Sequence, residues 1–177
     1  MNNDFTKSIF IVGNTLEYVL FETAINSAKA GLPVWYISIV PFNKIPDNID
    51  IPGKEVLNLI TFIYLKDYHC LISHLNGIHL WRKTPRVILI DRFDLYSNIN
   101  EENYNPLCGA LISTSILDAS SSISKKTNEN IFLIVACSTQ NIVSKRTSIL
   151  KNLYFPKTFI HSTDSETLKV INDFIIK

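Results

Sequence analysis

Short apolar runs alternate with longer amphipathic segments along the chain. Residues 8–12 read SIFIV, and such an unbroken β-branched and aromatic run predicts a buried strand. From Thr15 to Ala30 apolar residues recur at helical spacing, and Gly31 and Pro33 end that helix. Further apolar runs predict strands at residues 33–40, 59–64, 86–91 and 130–137.

Helical patterns lie between these strands. Asp67 precedes the pattern YHCLISHL and is a candidate N-cap, and a long helix is expected at residues 106–124. Strands that alternate with helices in this way predict the α/β fold class, with a mostly parallel twisted sheet and helices on both faces. Neither an internal repeat nor a linker is visible, so a single domain over residues 1–177 is expected.

The C-terminal tail fits two alternative structures. TDSETLKVINDFIIK begins with a capping box, Thr163 with Glu166, and carries apolar residues at helical spacing, which suits a helix. The same region also suits a hairpin in which FIHS pairs with TLKVI across the polar turn DSE. The pattern alone leaves both structures open.

Composition narrows the class of protein. The chain has 177 residues and 46% apolar content, which suits one domain with a substantial core. Its formal net charge of +1 excludes a global basic field, so any nucleic-acid contact must come from a local patch or a partner. The start MNNDFTKSIFIV lacks a secretory pattern, no apolar run approaches a bilayer span, and Cys70, Cys108 and Cys137 are isolated. A soluble, intracellular protein with reduced thiols is expected.

Residues 9–24, IFIVGNTLEYVLFETA, have the outline of a phosphate-binding strand, turn and helix. A working loop reads G-x-x-x-x-G-K-[ST]: backbone N–H groups cradle the phosphates, the lysine neutralises them and the hydroxyl holds Mg²⁺. Aligned on the helix pattern, Phe10 and Thr15 replace the glycines, Leu16 the lysine and Glu17 the hydroxyl. The candidate degenerate loop consists of Gly13, Asn14, Thr15, Leu16 and Glu17. ATP hydrolysis is therefore not expected, and an unrelated strand–turn–helix remains the alternative.

The run RVILID favours the interpretation of residues 9–24 as a degenerate phosphate loop. Four apolar residues that end in an acid describe the strand which, in such ATPases, aims a carboxylate at the metal-bound water. Asp91 fits that Walker-B-like position. The alternative is a parallel strand whose terminal Asp caps or solvates the edge of the sheet.

Five longer sequence segments follow the loop in this order: KAGLPVWYIS, NLITFIYLKDYHCLISHL, RVILIDRFDLY, LIVACSTQN and LKNLYFPKTFIHSTD. Together with the loop they resemble the RecA-like recombinase superfamily. There they correspond to the strand after the phosphate-loop helix, the next strand and helix, the Walker B strand, the strand after it and a late edge strand. Within the superfamily the chain is most similar to the small recombinase paralogues that pair with a SWIM-domain zinc-finger protein in the Shu-type complex.

The resemblance implies a non-catalytic role in homologous recombination and DNA repair, including meiosis, in the nucleus. The chain would assist assembly of the recombinase filament on single-stranded DNA, with a SWIM-domain zinc-finger protein and the recombinase or its other paralogues as partners. No cofactor is implied, and Asp91 is not expected to be catalytic without its partner residues. Gln140 matches a γ-phosphate-sensing position, but without a nucleotide it is expected to be an ordinary polar residue at the end of a strand. Because RecA-like cores end in added strands, the resemblance favours the C-terminal hairpin.

The resemblance also points to candidate DNA contacts. In RecA-like proteins the loops after the fourth and fifth strands face the DNA axis, and the second would be STQNIVSKRTSILK, with Lys145, Arg146 and Lys151. Lys125 and Lys126 offer a second basic pair, expected nearby. Such small charge clusters are usually only solvated, and a handful of phosphate contacts binds weakly, so a complex is expected to be the better binder.

The histidines and tryptophans raise two further possibilities, a metal site and base stacking. His69, His74 and His79 recur every five residues and do not share a helix face, unlike the i, i+4 pair of a zinc site, so no metal site is expected. Trp35, Tyr36 and Trp81 are expected in the core or on a partner surface rather than as base-stacking platforms. Two alternative functions remain: a RecA-like ATPase with an atypical loop, which would bind ATP and Mg²⁺, and a generic α/β protein-interaction domain.

Overall fold

Six parallel strands form the centre of the described structure. It is a computed structural model that describes residues 6–42, 49–139 and 144–176, except for the side chain of His79. The strands in these ranges are β1 (Thr6–Gly13), β2 (Val34–Ser38), β3 (Ile60–Tyr64), β4 (Val87–Ile90), β5 (Ile131–Ser138) and β6 (Thr158–Ile160). They lie in the order β3-β2-β4-β5-β1-β6, and every pair is parallel. Their carboxyl ends therefore share one edge, here called the carboxyl edge, and the opposite edge is called the amino edge.

Helices connect the strands. Those in the described ranges are α1 (Glu17–Lys29), α2 (Lys54–Leu57), α3 (Tyr68–Asn76), α4 (Phe93–Ser97), α5 (Pro106–Thr127), α6 (Lys145–Leu153) and α7 (Asp164–Ile176), with a 3₁₀ turn at Ile78–Leu80. The helix after β1 and the helix after β5 cover opposite faces of the sheet, although these strands are neighbours. In open α/β sheets such a reversal creates a crevice at the carboxyl ends of the strands.

Both faces of the sheet are buried, which explains why its central strands are unbroken apolar runs. In β4, Val87 and Leu89 pack on the face covered by α1 and α7, whereas Ile88 and Ile90 pack on the face covered by α3, α5 and α6. The predicted α/β class with a parallel sheet and helices on both faces is confirmed, and it is consistent with a RecA-like core. The five predicted strands are present, and Asp67 caps α3 by accepting the Cys70 amide at 2.8 Å.

The C-terminal hairpin is wrong: the tail forms α7, and FIHS does not pair with TLKVI. β6 instead lies parallel to β1, with Phe10 opposite Thr158. The hydroxyl of Thr163 accepts the Glu166 amide at 3.3 Å, as the capping box predicts, while the Glu166 carboxylate accepts from the Ser162 hydroxyl. A helix is favoured because it buries Ile171 and Phe174 beside α1, on the face that α1 leaves partly uncovered.

The loop expected at residues 138–151 is also partly wrong. Its second half forms α6, which begins after Ser144, whose hydroxyl oxygen accepts the Thr147 amide at 3.1 Å. Leu150 anchors this helix in the core. The helix was missed because it is short and its sequence is mostly polar, so the apolar periodicity is weak.

Among the described helices, α5 alone has the length and composition of a membrane span. The apolar side of α5 packs in the core of the described structure, where Ile112, Ile116 and Ile123 are buried. The buried hydroxyls of Ser113 and Ser120 donate to carbonyl oxygens one turn earlier, at 2.8 Å each. These serines interrupt the apolar run, which is why the sequence pattern gave no bilayer-length segment.

Candidate functional site at the carboxyl edge

The turn between β1 and α1 is the predicted degenerate phosphate loop. β1 continues through Gly13 and α1 begins at Glu17, so only residues 14–16 connect them. Leu16, at the lysine position, is 1% exposed and belongs to the apolar core beneath α1. Phe10, at the first glycine position, is fully buried inside β1. Strand, turn and helix are present as predicted, but the turn lacks the extended loop that cradles a phosphate.

Gly13 has a packing role at the end of β1. An added Cβ at Gly13 would overlap the Cβ of His161, which follows β6. His161 is fixed there, since its amide donates to the Val12 carbonyl oxygen at 2.8 Å and its Nδ1 lies 2.8 Å from the Thr167 hydroxyl. Its Nε2 lies 3.5 Å from the Asp164 carboxylate. The histidine therefore covers the glycine that the sequence pattern associated with phosphate.

Asp91 directly follows β4 and is buried, with 4% of its surface exposed. Its Oδ2 accepts from the hydroxyls of Tyr36 (3.3 Å) and Ser38 (3.2 Å), while no described group donates to its buried Oδ1. Burial raises the pKa of Asp91 to about 6; the two hydroxyls and Arg92 oppose the rise, and the Glu17 carboxylate adds to it. The Tyr36 hydroxyl also lies 3.4 Å from the Glu17 carbonyl oxygen, so the turn and Asp91 are adjacent.

Thr15, with φ 52°, and Arg92, with φ 56°, are non-glycine residues at this edge with left-handed backbones. Such conformations cost about 1 kcal/mol or more and are concentrated at functional sites. The Arg92 guanidinium donates to Asp94 Oδ2 from Nε (3.4 Å) and Nη2 (3.3 Å), and Asp94 Oδ1 accepts the Ser138 amide at 2.8 Å. Asp94 thus joins the ends of β4 and β5.

A cleft of about 630 Å³ opens beside these residues. It combines polar side chains from the ends of β1, β4 and β5 with acidic and basic side chains from the segments after them. Its lining includes Asn14, Arg92, Asp94, Asn100, Glu101, Glu102, Ser138, Thr139, Ser144 and Arg146. Because acidic and basic side chains both line the cleft, its charge does not favour an anion as ligand.

The basic residues proposed as DNA contacts lie in two separate places. Lys145, Arg146 and Lys151 are on α6, which starts at the carboxyl edge. Arg146 Nη1 donates to the carbonyl oxygens of Ile99 and Glu101, and its guanidinium lies 5.0 Å from the Tyr104 ring centroid. Lys145 and Lys151 are exposed.

Lys125 and Lys126 lie in the last turn of α5, immediately before β5 begins, and so at the amino edge. Lys126 Nζ donates to the Trp81 carbonyl oxygen at 3.1 Å. The expectation that this pair lies near the α6 residues is wrong, because a helix of this length spans the sheet from one edge to the other.

The remaining candidates lie elsewhere. Gln140 is outside the described residues. His74 packs against the rings of Trp35 (5.3 Å) and Trp81 (4.9 Å), and burial lowers its pKa. In the described part of the chain, no three His, Cys, Asp or Glu residues are grouped so as to hold a metal ion.

No protein-family model matches the chain, and no curated protein sequence matches it significantly. Sequence reasoning found Asp91 and the turn but missed Tyr36, Ser38 and Asp94. Tyr36 and Ser38 carried no signal in the sequence, because β2 is buried along its whole length and their proximity to Asp91 depends on β2 lying beside β4. Asp94 carried no signal either, since its partner, the Ser138 amide, is 44 residues away in the sequence.

Proposed function

We propose that the chain is a non-catalytic recombinase paralogue. It assists assembly of the recombinase filament on single-stranded DNA during homologous recombination and DNA repair, including meiosis, in the nucleus. It acts as a subunit of a complex with a SWIM-domain zinc-finger protein, as the SWIM-domain zinc-finger-associated protein of the Shu-type complex does.

One observation carries this proposal: the β1–α1 turn and the acid after β4 adjoin each other at the carboxyl edge of a parallel sheet. The Tyr36 hydroxyl is within 3.4 Å of the Glu17 carbonyl oxygen and within 3.3 Å of Asp91. In a RecA-like core the phosphate loop and the Walker B acid adjoin in the same way. The sequence words that resemble the recombinase paralogues occur in the matching order along the chain.

The non-catalytic part of the proposal is supported by the side chains at the turn. Leu16 contributes to the core instead of offering a cation, and Glu17 adds an anion at the helix N-terminus, where triphosphate would be repelled. His161 covers Gly13. A chain with these features is expected to act through partners.

Affinity capture with a SWIM-domain zinc-finger protein tests the proposal. We expect a stable complex that survives gel filtration and that increases recombinase loading on single-stranded DNA without ATP hydrolysis by this chain. Failure to recover such a complex, with the folded chain as bait, would contradict the recombination role and favour a generic interaction domain.

A nucleotide titration separates the scaffold from an atypical ATPase. We expect no saturable binding of magnesium-ATP to the purified chain by calorimetry. Tight magnesium-dependent binding that survives Asp91→Ala but is lost in Glu17→Ala would contradict the non-catalytic assignment.

A further inference from the structure

A small pocket beside Asp91 adjoins the larger cleft, and Arg92 lines both. Its volume is about 180 Å³, and it is bounded by the start of α1, the segment after β2 and the segment after β4. We call it the acid pocket. Its lining includes Glu17, Tyr18, Pro41, Phe42, Asp91 and Arg92.

Asp91, one of the residues that line the acid pocket, carries an unsatisfied acceptor. Asp91 Oδ1 is buried, and no described group donates to it, although the same carboxylate accepts two hydroxyls through Oδ2. A buried carboxylate oxygen without a donor is costly, and native structures rarely leave one. Arg92 is not the missing donor, because both of its hydrogen bonds in this region go to Asp94. A donor from outside the described chain would remove the cost.

The lining favours an organic cation over a metal ion. Two carboxylates, Asp91 and Glu17, supply negative charge, but among the described residues no third His, Cys, Asp or Glu joins them in a metal-binding group. Tyr18 and Phe42 supply aromatic surface beside these acids. Guanidinium groups stack on aromatic faces while donating to carboxylates, and the aliphatic stems of basic side chains pack on apolar surface.

We propose that the acid pocket binds an arginine or lysine side chain presented by a protein partner. Its N–H group donates to Asp91 Oδ1, the Glu17 carboxylate shares the positive charge, and Tyr18 and Phe42 pack against the stem. This proposal does not depend on the proposed role in recombination. Failure to capture a SWIM-domain protein would not affect the pocket proposal. Failure of the pocket to bind an arginine probe would not affect the recombination proposal.

Binding of the cation depends on pH. The charged or titratable groups around the pocket in the described part of the chain include Asp91, Glu17, Arg92, Tyr18 and Tyr36. Burial and the Asp91 charge raise the pKa of Tyr36, so its hydroxyl remains a donor to Oδ2. The pKa of Asp91 is about 6, so the carboxylate is ionised at neutral pH and protonated below that value. The affinity for a cation should therefore fall as the pH is lowered from 7.5 to 5.

Titration of the purified chain with small arginine probes tests the proposal. The probes are N-acetyl-arginine methylamide, its lysine counterpart and its citrulline counterpart, which is nearly isosteric with arginine but uncharged. Binding is followed through the backbone amide NMR shifts of residues 17, 18, 42 and 91. We expect saturable binding of arginine and lysine probes in the millimolar range, and none of citrulline.

Variants then identify the acceptor. Asp91→Asn should reduce the affinity for the arginine probe by about tenfold or more, because a charge-assisted hydrogen bond to a buried carboxylate is lost. Glu17→Gln should weaken it less, and Asp173→Asn, which removes an exposed carboxylate on α7, should have no effect. Absence of arginine binding, equal binding of citrulline, or unchanged affinity in Asp91→Asn would each overturn the proposal.

Discussion

Asp91 is a carboxylate whose environment stabilises the ionised form less than water does. The two hydroxyls at Oδ2 are neutral donors, and Oδ1 has no described donor, so burial dominates and raises the pKa to about 6 from 3.8. The folded chain therefore binds this proton more tightly than the unfolded chain does. Between these two pKa values, deprotonation reduces the free energy of unfolding, and above the higher value the reduction is complete.

Asp91→Asn should remove this pH dependence. The neutral amide imitates the protonated acid. The free energy of unfolding of the variant should therefore match that of the wild type near pH 4. At pH 7.5 it should exceed the wild-type value by about 3 kcal/mol, the energy that corresponds to the pKa difference. Urea denaturation at both pH values, with Asp173→Asn as control, measures the difference. A variant less stable than the wild type at pH 7.5 would show that the ionised form is favoured by contacts other than those described.

Gly13→Ala should destabilise the chain although Gly13 has no positive φ. The added Cβ overlaps His161, whose backbone is hydrogen-bonded to Val12 and cannot shift freely. We expect the free energy of unfolding, measured by chemical denaturation, to fall by about 1–3 kcal/mol, which is typical of overpacking. Gly77→Ala is the control, since its Cβ would meet only ordinary contacts at 3.5 Å, and it should be nearly neutral.

The two variants of Gly13 and His161 should also be coupled. His161→Gly removes the overlapping atom, so the double variant with Gly13→Ala should lose less stability than the sum of the two single variants. Additive losses would mean that the glycine is required for a different reason.

At the scale of elements, the tail shows two sequence signals in competition. Its capping box and apolar spacing indicated a helix, whereas the resemblance to RecA-like cores indicated added strands. The helix forms because a strand at this position would leave Ile171 and Phe174 without the α1 surface on which they pack. Phe174 also meets Phe132 edge-on at 5.9 Å and lies under the Lys157 ammonium at 4.5 Å.

Thr163→Ala tests the helical tail. The variant loses the hydroxyl that accepts the Glu166 amide, and we expect a cost of about 1 kcal/mol in the free energy of unfolding. Thr163→Ser keeps the acceptor and should retain most of the stability. Equal stability of the alanine and serine variants would contradict capping by Thr163.

At the scale of the whole molecule, the sequence predicts the sheet better than the site. The strands could be predicted because both faces of the sheet are buried, so runs such as Val87–Ile90 are apolar throughout. Asp91 could be found because an acid after such a run is conspicuous. Its partners on β2 could not, since their proximity depends on β2 lying beside β4. The contact of His161 with Gly13 likewise exists only because β6 adds to β1.

The strand order also divides the candidate DNA contacts. α5 has 22 residues, which corresponds to about 33 Å of helix, so Lys125 and Lys126 at its end lie far from the start of α6. With a net charge of +1, the chain cannot compensate for a lost local patch through a general basic field. If single-stranded DNA follows the carboxyl edge, Lys145 and Lys151 can contribute to its binding, whereas Lys125 and Lys126 cannot.

Paired lysine variants of the proposed complex test this division. In Lys145→Gln/Lys151→Gln, loss of two phosphate contacts should reduce the slope of log affinity against log salt by about 1.4 for single-stranded DNA. Lys125→Gln/Lys126→Gln removes the same charge at the amino edge and should leave the slope unchanged. Fluorescence anisotropy over a salt series measures both. The reverse result would place the DNA at the amino edge, beside Trp81 and the end of α5.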